Sequence, residues 1–180
     1  ELIIPGNSKK EILLSAYICH PSMANDSLSG VITLAFLAKF LLNQKNLNWT
    51  YRIIFVPETI GAIAYCHRNK DIMNLISSAL VFTTCGGPGK FGFKESWDNN
   101  HYINRLIEEV FKTEKIEYKK YPFDIHGSDE RQFSSLGFRI NTSSITKDKY
   151  YEYDYYHSSL DDLNFVSAEN LYKTFNIYKK

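Results

Sequence analysis

The chain lacks most of the features that assign a function at once. Its three cysteines, Cys19, Cys66 and Cys85, form an odd set with no Cys-x-x-Cys pair, which points to neither a disulfide framework nor a thiolate zinc finger and fits a reducing, cytoplasmic setting. The longest apolar runs, such as Val31 to Leu42, are interrupted by Thr33 and Lys39 and fall short of the roughly 18 residues of a membrane helix, so no membrane partner is expected. Charge of one sign is missing as well. Lys plus Arg number 21 against 20 Asp plus Glu, a balance of +1 that argues against a nucleic-acid partner. The first residues, Glu1-Leu2-Ile3-Ile4-Pro5-Gly6, have neither an initiator Met nor the basic-then-apolar plan of a signal peptide, as expected of a processed form or of a segment of a longer chain. No internal repeat or low-complexity tract is present.

What remains is an ordinary globular composition. The 180 residues are 44% hydrophobic and 23% charged, enough apolar material for one compact domain spanning residues 1–180. Glu11 to Ile18 reads as a buried strand, followed by a loop from Cys19 to Ser27 that is rich in turn formers. Val31, Leu34, Ala35, Leu37, Ala38, Leu41 and Leu42 recur at helical spacing, predicting a helix over Ser29 to Asn43 with Ser27 or Ser29 as its cap. Tyr51 to Val56 is a second strand stopped by Pro57, with a short helix over Ile60 to His67, and Ser78 to Cys85 is a third strand broken by Gly86-Gly87-Pro88-Gly89. An amphipathic helix follows over Asn99 to Lys112. A strand near Glu117 to Tyr121, a short helix opened by Asp124 to Phe133, a strand over Gly137 to Ser144 and a closing helix over Ser167 to Tyr178 complete the alternation.

Alternating strands and helices predict an α/β fold, a three-layer α/β/α sandwich around a largely parallel mixed sheet. Ligands of such folds gather at the carboxyl ends of the strands. His20, Asp26, Glu58 and His157 each come just after a predicted strand and can converge on one rim. A metal such as zinc needs imidazoles and carboxylates brought together from different loops, and catalysis needs one position left for water. On local spacing alone the plainer reading comes first, with His20 an ordinary loop histidine and Asp26 a helix cap.

Four segments in order carry a resemblance. Cys19-His20-Pro21-Ser22-Met23-Ala24-Asn25-Asp26-Ser27-Leu28-Ser29-Gly30, Val56-Pro57-Glu58-Thr59-Ile60-Gly61, Gly127-Ser128-Asp129-Glu130-Arg131-Gln132-Phe133 and Tyr156-His157-Ser158-Ser159-Leu160-Asp161-Asp162 together resemble the zinc aminopeptidase-like superfamily, over residues 11 to about 170. Within it, the chain is most similar to a bacterial branch linked in part to polysaccharide biosynthesis. The resemblance implies a zinc exopeptidase-like fold and a zinc-dependent hydrolase that cleaves a small peptide or amide substrate. His20, Asp26 and His157 would be the metal ligands and Glu58 the general base. The alternative is a catalytically silent metal-binding module within a larger polysaccharide-biosynthesis protein, with flanking domains or a second copy of the chain as partners. Two departures favour one zinc over two: Thr59 stands where co-catalytic members carry a second Glu, and Phe82-Thr83-Thr84-Cys85-Gly86 holds no aspartate after the third strand.

Asp129, Glu130 and Arg131 form a charged cluster at a helix start. Asp129 is expected to orient a ligand or approach the metal, and Arg131 to hold a substrate carboxylate or pair with Glu130; Glu130 also reads as an acidic first turn facing the helix dipole. Five tyrosines between Tyr150 and Tyr156 suggest an extended segment that walls a pocket. Asp161 and Asp162 read as turn caps, Cys85 as a buried structural thiol, and His67 and His101 as surface histidines.

Overall fold

The computed structural model describes all 180 residues. Seven strands form one sheet: β1 (Leu2–Ile4), β2 (Glu11–Tyr17), β3 (Thr50–Val56), β4 (Ile76–Phe82), β5 (Phe91–Lys94), β6 (Tyr118–Tyr121) and β7 (Thr142–Lys147), in the order β1-β3-β2-β4-β7-β5-β6. The four central strands β3, β2, β4 and β7 are mutually parallel, while β1 on β3 and β5 on β7 are antiparallel. Six helices flank the sheet: α1 (Gly30–Leu42), α2 (Ile60–Arg68), α3 (Lys70–Met73), α4 (Tyr102–Thr113), α5 (Glu130–Phe133) and α6 (Ala168–Tyr178).

Side-chain alternation along β2 shows why both faces must be covered. Leu14 and Ala16 pack with Leu34, Leu37 and Leu41 of α1, and this layer is shared with α6 through Phe175 and Tyr178. Leu13 and Tyr17 point the other way, into a core with Ala62 and Cys66 of α2, Met73 of α3 and Phe133 of α5. A third cluster, with Phe93, Ile107, Phe111 and Ile145, seats α4 on the β5 side of the sheet. The result is the expected three-layer α/β/α architecture with a largely parallel mixed sheet. The stretch Ala24–Leu42 is long and apolar enough to cross a bilayer by composition, yet more than half of it is buried in the domain, and its non-helical dihedrals at Asp26 and Ser27 break it before α1. It is a core helix with an irregular turn in front.

Several elements differ from the sequence expectation. The last strand runs over Thr142–Lys147 rather than Gly137 to Ser144, because Phe138 and Arg139 close a turn on the Ser135 carbonyl and Ile140 bonds back to Phe133. Tyr150 to His157 is not extended: its chain coils through i to i+3 hydrogen bonds, with Tyr151 at φ 67° and His157 at φ 53°. The short strands β1 and β5 went unpredicted, since three or four residues are too few to establish a period. Ser29 occupies the N-cap position of α1, but neither its hydroxyl nor that of Ser27 bonds to the helix's first N–H groups; Ser27 Oγ donates to the Tyr17 carbonyl, and Ser29 Oγ donates to the Asn25 carbonyl and accepts the Cys85 N–H. His101 is half-buried rather than a free surface histidine, its Nδ1 accepting the Ile103 N–H at the start of α4.

Chain direction sets where chemistry can occur. From β2 the chain moves outward to β3, then back across β2 to β4, so the winding reverses beside β2. The carboxyl ends of β2, β3, β4 and β7 share one edge, the edge at which folds of this kind bind their ligands. The start of α1 presses against the end of β4: a Cβ on Gly30 would lie 2.5 Å from the Thr83 carbonyl oxygen, so only glycine permits this approach.

Candidate metal centre

Four loops leave that edge. The loop after β2 brings His20 and Asp26, the turn after β3 brings Glu58, the end of β4 brings Thr83, and the long segment after β7 brings His157. His20, Asp26 and His157 each direct one donor atom to within 4.8 Å of the others. His157 Nε2 lies 3.1 Å and His20 Nε2 3.9 Å from Asp26 Oδ2, and the two imidazole centroids are 5.3 Å apart. Glu58 joins from the side, its Oε2 3.8 Å from His20 Nε2. Two imidazoles and a carboxylate in this arrangement are the donor set of a zinc site with an open position, and the residues fit that ion.

Asp26 is fixed from behind. Both it and Asn25 donate their backbone N–H groups to Asp161, at 3.0 and 2.6 Å. Asp161 is wholly buried and also accepts the Tyr153 hydroxyl at 2.9 Å. It is therefore no turn cap, in contrast to the sequence expectation: it pins the loop that carries Asp26 from 135 residues away. Asn25 Oδ1 in turn accepts the N–H groups of Gly86 and Gly87, tying the loop to the end of β4. On the other side, the Tyr17 hydroxyl donates to Asp26 Oδ1 at 2.6 Å and meets Thr83 Oγ1 at 2.5 Å. Burial pushes the Asp26 carboxyl above its ordinary pKa, while the Tyr17 hydrogen bond and the two imidazoles pull it back down.

Glu58 sits in a constrained turn. Its N–H points at Cys19 Sγ, 3.1 Å away, and that sulfur is 3.4 Å from His20 Nδ1. Thr59 has φ 59°, and its N–H donates to Asp129 Oδ1 at 2.7 Å. A Cβ on Gly61 would strike Pro57 Cδ at 2.7 Å, so proline and glycine together close this turn.

The charged cluster Asp129, Glu130 and Arg131 sits behind the turn that carries Glu58. Asp129 is wholly buried, with Oδ2 unpartnered; burial, reinforced by the Glu58 and Glu130 charges and opposed by the Thr59 hydrogen bond, pushes its pKa up to about 7. Glu130 is wholly buried and accepts the Tyr150 hydroxyl at 3.1 Å, which is more than an acidic first turn requires. Arg131 does not pair with Glu130. It donates instead to the Ile125 carbonyl at 3.0 Å and the Ser128 carbonyl at 3.4 Å. Cys85 is fully buried, and burial pushes its thiol up to about 12, as befits a structural cysteine. Tyr153 and Tyr155 line a cleft of about 910 Å³ together with Phe165, and none of His20, Asp26, Glu58 or His157 lines it.

From the sequence, Tyr17 has no assigned role, and Asn25, Thr83 and Asp161 are not assigned the anchoring contacts they make here. A buried strand tyrosine needs a partner for its hydroxyl, which marks Tyr17 in principle. Nothing local marks Asp161, whose partners are distant in the chain.

Over residues 1–180 the chain matches the family described as "Domain of unknown function (DUF4910)". It belongs to that family. Across 178 residues this DUF4910 domain is 39% identical to a Clostridium acetobutylicum protein named for polysaccharide biosynthesis and an aminopeptidase-like domain, covering 99% of this chain and 41% of the relative. A crystal structure from the same organism, described as a candidate peptidase, superposes with a TM-score of 0.95 at 38% identity over 99% of this chain and 42% of that one. The chain thus spans about two fifths of the length of these relatives. A zinc aminopeptidase from Bacillus subtilis superposes with a TM-score of 0.81 at 16% identity, over 98% of this chain and 47% of that one. At that identity the likeness is one of fold: the DUF4910 domain has the aminopeptidase-like α/β fold.

Proposed function

We propose that this domain is a zinc-dependent amide hydrolase in which His20, Asp26 and His157 hold a single ion and Glu58 is the general base. The observation that carries this reading is the meeting of two imidazoles and one carboxylate within 4.8 Å, with the Glu58 carboxylate alongside. Zinc held there supplies a Lewis acid that brings the pKa of water near 7. Glu58, with its side chain 26% exposed, can reach both solvent and the centre. It takes the proton of the attacking water as oxygen adds to the amide carbon, then returns it to the nitrogen as the C–N bond breaks. His20 keeps its Nε2 lone pair toward the site when its Nδ1–H faces Cys19 Sγ. The substrate is a small peptide or other amide.

A second reading is favoured by the naming of the Clostridium acetobutylicum relative and by its greater length: a silent, metal-holding module within a polysaccharide-biosynthesis protein, contacting flanking domains. The two readings part on zinc content and turnover of aminoacyl-arylamides, compared between wild type and Glu58→Gln. The hydrolase reading expects turnover that Glu58→Gln lowers by about 100-fold or more. Bound zinc without turnover of any amide selects the module, and equal zinc content in wild type and His157→Ala overturns the ligand assignment.

A further inference from the structure

The two oxygens of Asp26 have different surroundings. Oδ2 faces His157 and His20 at 3.1 and 3.9 Å, while Oδ1 is covered by the Tyr17 hydroxyl at 2.6 Å. A phenol has one hydroxyl proton, and Tyr17 spends it on Oδ1. The 2.5 Å contact with Thr83 must then be donated by Thr83 Oγ1. This gives a directed chain, Thr83 to Tyr17 to Asp26, that ends on one carboxylate oxygen.

We propose that Tyr17, locked by Thr83, is a positioning residue that reserves Oδ1 and leaves Asp26 a one-oxygen ligand, so that the centre takes one divalent cation per chain. The inference rests on the assignment of His20, Asp26 and His157 as ligands. It is carried by geometry at three points. Tyr17 is 2% exposed, its ring 5.0 Å from that of His20, so its hydroxyl cannot swing out to make way for a second ion. The main chain of Asp26 is fixed as well, because its N–H and that of Asn25 donate to Asp161, so the carboxylate stays within reach of the Tyr17 hydroxyl. Nor does the turn after β3 supply another carboxylate, since Thr59 stands beside Glu58 with its N–H committed to Asp129. One other trio of donors exists, Cys19, His20 and Glu58, but it draws on the same imidazole and on the proposed base.

Cobalt(II) titration of the full chain tests this, read as metal per chain by mass spectrometry and as the visible ligand-field spectrum. Wild type should saturate at one cobalt with the intense absorption of a four-coordinate ion. Tyr17→Phe frees Oδ1, and should either lose visible intensity as the carboxylate becomes bidentate or accept a second cobalt. Thr83→Val keeps the phenol but loosens it, and should shift the spectrum in the same direction by less; it serves if Tyr17→Phe fails to fold. Two cobalt ions in wild type, or variant spectra that superimpose on the wild-type spectrum at one equivalent, would overturn this inference alone. No cobalt in wild type would overturn the ligand assignment as well.

Discussion

Asp26 and His157 approach within 3.1 Å, yet they are held by different kinds of structure. Asp26 is 1% exposed at the floor of the site, framed by Tyr17, Asn25, Ser27 and Asp161. The His157 side chain is 47% exposed, on a segment of successive turns, its ring stacked on Tyr156 at 3.9 Å. The floor is tied into the fold by buried hydrogen bonds, whereas the arm carries its imidazole to the floor on exposed turns. Groups that maintain the floor should therefore matter to the metal-free fold, and groups on the arm chiefly to metal affinity.

Chemical denaturation in the presence of a chelator can break this division. Asp161→Ala leaves the buried N–H groups of Asn25 and Asp26 unpaired, at about 1–3 kcal/mol each, and should show the largest loss of stability. A smaller loss than that of any arm variant would refute the division. Asp129→Asn should act with the opposite sign and depend on pH. The Asp129 pKa is raised in the fold from 3.8 to about 7, so the folded state binds more protons between these values, and wild-type stability falls as pH rises through that window. The variant escapes this loss. Its stability relative to wild type should grow between about pH 4 and 7 by on the order of 1–4 kcal/mol, and a difference that stays flat with pH would mean that Asp129 titrates normally.

Tyr153→Phe removes one hydrogen bond to Asp161 where the arm meets the floor, and should cost about 1 kcal/mol. An unchanged midpoint would place Tyr153 wholly on the arm. His157→Ala should be the mildest, within about 0.5 kcal/mol of wild type without metal, while zinc affinity measured by competition with a chromogenic chelator drops sharply. A large loss of metal-free stability in this variant would show that the arm is part of the fold.

The same contrast explains what could be read in advance. The helical period of Val31 to Leu42 and the apolar runs of β2, β3 and β4 revealed the layers, because elements buried on one or both faces write that burial into their residues. His20, Asp26, Glu58 and His157 stood out as polar residues after strands. The Arg131–Glu130 ion pair does not form because the guanidinium is taken up by the backbone carbonyls of Ile125 and Ser128, which no side-chain pattern encodes. Tyr150 to Tyr156 looked extended because alternation with acidic residues imitates a strand, and only positive φ angles and turn hydrogen bonds coil it.

By itself, the sequence determined the α/β alternation, its three main buried strands and the placing of imidazole and carboxylate side chains just after strands. These follow from local periodicity and residue chemistry. Tertiary structure alone decided that Asp161 would anchor a loop 135 residues away and that Tyr17 would cover one of the two Asp26 oxygens. Both are contacts between separate segments, set by how the sheet brings its strand ends together, and no short-range pattern carries that information.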